Sequence, residues 1–114
     1  MIAKKYRITS SDFRKERLRV RKPDRTFSFM STRVLVYAST HAHSRCAVIT
    51  PLARFTHIVS RNHTRRLVYD ALAPYITAVR TPSIDVVCII GNNGEAHTSS
   101  QLQSFFADVF LSRM

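Results

Sequence analysis

The stretch IVSRNHTRRLVYDAL, residues 58–72, is where the spacing of apolar residues along this chain changes. Before it they alternate with a period near two, as in strands, and within it they recur with a period near 3.6, as in a helix. We predict a helix over about residues 56–73, which Pro74 ends or kinks, with a further turn through Val79 as the alternative. Its apolar side, expected to face the core, carries Thr64, Leu67, Val68, Ala71 and Tyr75.

The opposite side of this helix is basic. Asp70 is the one carboxylate placed three or four residues from any of its arginines. Like charges one turn apart destabilise a helix, so the arrangement favours a polyanionic partner over a merely solvated face. Arginine also binds phosphate side-on through two parallel hydrogen bonds. We predict RNA or DNA contact through a basic surface made of Arg54, Arg61, Asn62, His63, Arg65, Arg66 and Tyr69.

Four segments have the pattern of strands. TFSFMS from residue 26, RVLVYAS from residue 33 and CAVIT from residue 46 alternate and are rich in β-branched residues. We expect these three to form an antiparallel meander. IDVVCII, residues 84–90, is apolar almost throughout, which is typical of a strand buried on both faces. GNNG, residues 91–94, then turns the chain.

Helices are also predicted near both ends of the chain. A short one over about residues 12–19 has Ser10 or Ser11 as its N-cap and Asp12 in its first turn. The last helix begins at a capping box, formed either by Thr98 with Gln101 or by Ser100 with Gln103. Its apolar stripe, expected to face inward, consists of Leu102, Phe105, Phe106, Val109 and Phe110.

The order helix, strand, strand, strand, helix, strand, helix predicts an α+β protein, a single mixed sheet with three helices packed against it. A length of 114 residues fits one RNA-binding domain over 1–114. Residues 1–25 form a basic N-terminal arm that includes the first helix and holds ten of the eighteen lysines and arginines. Phe13 in that helix either docks on the sheet or stacks on an unpaired base.

The charge of the chain restricts its partners. Eighteen lysines and arginines against seven aspartates and glutamates give a formal net charge of +11 and a pI near 10.9. Nucleic acid is favoured, because each phosphate that a basic residue neutralises releases condensed counterions. An anionic membrane is the weaker alternative, since no run approaches the roughly 20 apolar residues of a spanning helix.

Catalytic and metal-binding patterns are sparse. Asp12 and Glu16 fit helix capping and charge balance better than an acid–base pair, and no Gly-rich phosphate loop or nucleophile elbow is present. His41, His43 and Cys46 lie near one another, but a fourth zinc ligand is missing, and we interpret them as a surface loop. Both cysteines fit buried, reduced thiols better than a disulfide. We predict no catalytic residue and no metal ligand in this chain.

Several segments resemble the protein component of bacterial ribonuclease P. KKYRITSSDFRK resembles the family's opening, RVLVYAS its second strand with Tyr37 at the usual tyrosine, and RNHTRRL its arginine-asparagine-arginine signature helix. IDVVCIIGNNGEAHTSSQLQSFF resembles its last strand, loop and helix. The resemblance covers nearly the whole chain in order and spacing. The sequence departs from the family pattern at His63 and Tyr69, where arginines are usual, and at Arg17, where an aromatic is usual.

The resemblance implies a ribonucleoprotein whose RNA subunit removes the 5′ leader of precursor tRNA by Mg²⁺-dependent hydrolysis, with the protein assisting in the cytoplasm. It implies a ribosomal-protein-like two-layer sandwich with a left-handed crossover at the middle helix, which faces the catalytic RNA. A cleft between sheet and helices would receive the leader at Phe13, Arg17 and Tyr37. The alternatives are a structural RNA-binding protein of ribosomal type, which takes no part in cleavage, and a nuclease acting alone, which the scattered carboxylates disfavour.

Overall fold

A four-stranded mixed sheet with two long helices on one face forms the framework of the protein. The computed structural model describes residues 3–15, 21–39, 41–51, 58–78, 83–91 and 98–112. The strands, which lie in the order β1-β2-β4-β3, are β1 (Arg25–Phe29), β2 (Thr32–Ala38), β3 (Arg45–Ile49) and β4 (Ile84–Ile89). The helices are α1 (Ser10–Lys15), α2 (Ile58–Ile76) and α3 (Ser99–Ala107), which a π-helical turn continues. The predicted α+β class and single mixed sheet are confirmed.

The first three strands do not form the predicted meander. β1 and β2 form an antiparallel hairpin, but β4 lies beside β2, and β3 pairs in parallel with β4 at the far edge. The apolar character of β4 explains this order, because its first five residues are buried on alternating faces of the sheet. A strand with apolar residues on both faces is stabilised most in the middle of a covered sheet.

Two helices, not three, are long enough to form a layer on the sheet. The described part of α1 has six residues, whereas an isolated helix needs about 12 to be stable in water, so α1 depends on tertiary contacts. Its N-cap is Thr9, not Ser10 or Ser11 as predicted. The Asp12 N–H donates to Thr9 Oγ1 at 3.2 Å, and the Thr9 N–H donates to Asp12 Oδ2 at 3.0 Å. The predicted end near residue 19 lies outside the described residues.

Pro74 does not end α2, which continues through it to Ile76. Proline removes one backbone hydrogen bond here, in the last turn, where few bonds remain to be lost. The side chain of Ile76 is 1% exposed, and its burial holds that turn against the core. In α3 the capping box of Thr98 with Gln101 is confirmed, since each backbone N–H donates to the other residue's side chain at 3.2 Å.

The main core lies between the helices and one face of the sheet. Val34, Val86, Leu72 and Phe106 are among its fully buried side chains, and the inward stripe predicted for α3 is confirmed. Both cysteines lie in this core as free thiols, as predicted, and burial raises the pKa of each to about 12. These thiols therefore stay protonated at neutral pH, where the thiolate is the reactive form.

The turn between β1 and β2 packs directly on Gly91. Met30 and Ser31 both have positive φ angles, 46° and 69°, as in the two-residue turns whose twist matches that of a sheet. The Gly91 N–H donates to Thr32 Oγ1 at 3.2 Å. A Cβ atom on Gly91 would overlap the backbone carbonyl of Ser31. Glycine is required here by this close approach of two backbone segments.

We expect Gly91→Ala to lower the free energy of unfolding by about 1–3 kcal/mol, because the added methyl group displaces the Ser31 backbone. Urea denaturation followed by circular dichroism measures this loss. Ser31→Gly is the matched control on the other side of the contact. It should be neutral or stabilising, because glycine adopts a positive φ without steric cost. A Gly91→Ala variant as stable as the parent would contradict the close approach.

Candidate nucleic-acid interface

Most of the predicted basic surface lies on the exposed side of α2. Asn62, His63 and Arg66 are exposed, and Arg61 and Arg65 are half-buried. The Arg61 Nε–H donates to the carbonyl oxygen of Thr50 at 2.7 Å, which anchors this guanidinium where α2 passes the end of β3. Within the described parts of the chain, no carboxylate forms a salt bridge with these arginines. Their charge is therefore available to an external anion.

Of the two remaining members of the predicted surface, one is not described and one is buried. Arg54 lies outside the described residues. The predicted exposure of Tyr69 is wrong, because its side chain is 7% exposed and belongs to the core. Its hydroxyl accepts a hydrogen bond from the Val48 N–H at 3.3 Å. A helical projection places Tyr69 beside Arg65, but it does not show that β3 runs along that flank of α2.

A second surface lies on the face of the sheet opposite α2 and α3. Ile8 of the N-terminal segment packs there against Tyr37, Ala47 and Val87, and Leu35 and Ile89 lie at the margin of this cluster. The ring of Tyr37 is 3% exposed and has the Arg21 guanidinium over it, 5.5 Å from the ring centroid. Tyr37 is therefore buried beneath a cation on the face opposite α2 and α3, and its role in the predicted cleft stays a prediction.

The other two residues predicted for that cleft are only partly located. Phe13 belongs to α1, and its side chain lies outside the described part of the structure. Arg17 lies outside it altogether. Their roles stay predictions.

A buried ion pair holds α1 near this second surface. Arg45, 6% exposed, donates from Nε to Asp85 Oδ1 at 3.1 Å and from Nη2 to Asp85 Oδ2 at 2.9 Å. Its Nη1 atom also lies 3.6 Å from Oδ2 of Asp12 in α1. The hydrogen bonds from the Thr9 N–H and the Thr9 hydroxyl, with a smaller contribution from the charge of Arg45, outweigh desolvation and lower the pKa of Asp12. Arg45 thus links β3, β4 and the N-terminal helix.

Sequence reasoning missed this ion pair, although the sequence contains a signal for it. Asp85 interrupts an otherwise apolar run that was predicted to be buried on both faces. A carboxylate in such a strand needs a buried cation or hydrogen-bond donors, because isolated charges are strongly disfavoured in an apolar interior. The partner, Arg45, lies forty residues earlier in the chain and was not identifiable from local pattern.

The described residues contain neither a cluster of metal ligands nor a helix that could span a membrane. No three His, Cys, Asp or Glu side chains come together there as a metal site requires. His41 and His43 are exposed, whereas Cys46 is buried in the core. These residues do not fit the Mg²⁺ ion of the predicted reaction. No step of that reaction is therefore assigned to a metal ion held by this chain. None of the described helices combines the length and the apolar character needed to span a bilayer.

Comparison with known proteins identifies the family. The model of the ribonuclease P family matches residues 2–113, whereas no curated protein sequence matches. A Staphylococcus aureus RNase P protein mutant with defective mRNA degradation activity has a TM-score of 0.71 at 17% identity, over 96% of this chain and 88% of that one. The RNase P protein of Thermotoga maritima has a TM-score of 0.65 at 16% identity, over 90% and 94%. The structures share a fold, and the family match over nearly the whole sequence shows that this chain belongs to the ribonuclease P family.

Proposed function

We propose that this chain, as the protein subunit of ribonuclease P, assists a catalytic RNA in removing the 5′ leader of precursor tRNA. The observation that carries the proposal is the basic side of α2, whose arginines form no salt bridge with a carboxylate among the described residues, in a chain of this family with a net charge of +11. The holoenzyme is then a hydrolytic endoribonuclease of the cytoplasm. Catalysis, with its Mg²⁺, belongs to the RNA subunit, and this chain contributes no catalytic residue.

Each of the two surfaces binds a different RNA. The basic surface of α2, with Arg61, Asn62, His63, Arg65 and Arg66, faces the RNA subunit. The opposite face of the sheet receives the single-stranded leader near Tyr37, and Phe13 and Arg17 also contact it, as the family resemblance implies. By neutralising phosphates on both RNAs, the protein lowers the repulsion that opposes their approach.

The connection that carries α2 from β3 to β4 joins two parallel strands. We propose that it is left-handed, as the family resemblance implies, in contrast to the right-handed connections that dominate in parallel units. Such a crossover places α2 in the two-layer sandwich of ribosomal-protein type. An experimental structure in which the connection turns right-handed would overturn this part of the proposal.

A reconstituted cleavage reaction tests the proposed function. We expect the protein to accelerate leader removal by the RNA subunit of its own organism when Mg²⁺ is limiting, because protein cations replace some of the screening otherwise supplied by the metal. A structural RNA-binding protein would bind RNA without accelerating cleavage. Cleavage by the protein in the absence of RNA subunit would identify a nuclease acting alone. Either result contradicts the proposal.

A further inference from the structure

A cleft of about 450 Å³ lies where the N-terminal segment, β3 and α2 meet. Its lining includes Lys4 and Arg7 from the N-terminal segment, Val48 from β3, and Arg65 and Tyr69 from α2. None of the described residues that line it is acidic. The cleft thus adjoins the basic surface but adds residues from a different part of the chain.

Two arginines in the cleft each have a buried hydrogen-bond donor without an acceptor among the described residues. The Nε atom of Arg7 and the Nε atom of Arg65 are both closed to solvent and have no hydrogen-bond partner among the described residues. Unsatisfied buried donors are rare in native proteins and cost free energy. The Nε–H and a neighbouring Nη–H form the edge of a guanidinium that binds phosphate side-on. In both arginines the Nε position of this edge is unused.

Tyr69 provides a third donor in the same cleft. Its oxygen accepts from the Val48 N–H at 3.3 Å, and no described residue accepts its own hydroxyl proton. Burial raises the pKa of this phenol, and the charges of Arg7 and Arg65 act in the opposite direction. The phenol therefore stays protonated at neutral pH and is able to donate.

The position of Arg7 in this cleft is set by the backbone. Arg7 forms an isolated parallel bridge with Cys46 at the outer edge of β3, and the Ile8 N–H donates to the Cys46 carbonyl oxygen at 2.8 Å. Ile8 itself is 6% exposed and packs on the sheet. Arg7 and Arg65 are thus held as two like charges on separate elements, an arrangement that an anion between them would stabilise.

We propose that Arg7, Arg65 and Tyr69 bind one phosphate group of the RNA backbone in this cleft. The assignment rests on the proposed function. It extends that function, because the N-terminal segment and α2 bind the same phosphate group. A phosphate suits the site better than a carboxylate, since its tetrahedral oxygens accept from donors that approach from several sides. Because both Nε atoms are closed to solvent, binding requires each guanidinium to turn so that its Nε–H faces the open part of the cleft.

Binding of inorganic phosphate to the full-length protein tests the site, and isothermal titration calorimetry provides the measurement. We expect one phosphate to bind, and Arg7→Met and Arg65→Met each to weaken it about tenfold or more, the scale of a charge-assisted hydrogen bond. The double variant should bind little worse than either single variant, because both residues hold one ligand. Arg66→Met, on the exposed side of the same helix, is the matched control and should change the affinity less than about threefold.

Stability without phosphate separates a binding role from a structural one. If the two guanidinium groups are held in place for a ligand, Arg7→Met and Arg65→Met leave the urea midpoint of the phosphate-free protein unchanged or raise it, because an unpaired charge is removed. A lowered midpoint in both variants, or an equal loss of phosphate binding in Arg66→Met, overturns the site.

A second experiment, with the RNA subunit in place of inorganic phosphate, identifies the source of the phosphate. The double variant should reduce the salt dependence of RNA-subunit binding by about one phosphate contact. If inorganic phosphate binding is lost but this slope is unchanged, the assignment to the RNA backbone is wrong. If cleavage is still accelerated by a parent protein that binds no inorganic phosphate, the cleft proposal fails and the proposed function stands.

Discussion

Replacing Asp85 by alanine is expected to lower the free energy of unfolding by about 3–5 kcal/mol. The substitution leaves the guanidinium of Arg45 buried, 6% exposed, without the two hydrogen bonds it now donates to the carboxylate. Asp12 Oδ2, 3.6 Å from Nη1, is more exposed and compensates this charge only weakly, and a buried charge that loses its main partner is far more costly than the loss of the pair as a whole. Chemical denaturation at neutral pH, followed by circular dichroism, measures the change.

Two further variants show whether the loss comes from the charge of Arg45 that remains buried without Asp85. Replacing both partners, with Arg45→Met and Asp85→Leu together, removes the charge as well as its partner and should recover most of the lost stability. Asp12→Ala removes the more exposed carboxylate of the network and should cost about 1 kcal/mol or less. Equal losses for Asp12→Ala and Asp85→Ala would contradict the buried ion pair.

Arg66→Ala and Arg33→Ala are each expected to weaken the binding of one RNA by about tenfold, and the RNA differs between the two variants. Tenfold is the scale of one charge-assisted contact. Arg66 is exposed on the basic side of α2, which the proposal turns toward the RNA subunit. Arg33 is exposed on β2, on the same face of the sheet as Tyr37, where the leader is proposed to lie. Each arginine therefore serves as the control for the other, since both substitutions remove one exposed positive charge.

Filter binding at several salt concentrations distinguishes the two surfaces. Arg66→Ala should weaken binding of the RNA subunit and flatten its salt dependence by about one phosphate contact. Arg33→Ala should weaken holoenzyme binding of precursor tRNA but spare that of mature tRNA, which has no leader. Equal effects of both variants in both assays would show that net charge alone drives binding.

The candidate site was predictable in part, because exposure on a helix follows from residue spacing. Asn62 and Arg66 lie where the helical period places them, on the solvent side of α2. Tyr69 does not, because its environment is set by β3, which is distant in sequence. Arg7 was counted only as part of a basic arm, whereas the structure places it in a cleft with Arg65.

The amino-acid sequence by itself determined the class of fold, the helical and strand segments, the inward face of α3 and the excess of positive charge. Each of these depends on local periodicity, capping chemistry or composition, which a single segment contains. The tertiary structure alone decided that β4 lies between β2 and β3, that Arg45 pairs with Asp85, and that Arg7 and Arg65 share a cleft. These features depend on contacts between segments far apart in the chain, and local patterns do not encode which distant segments meet.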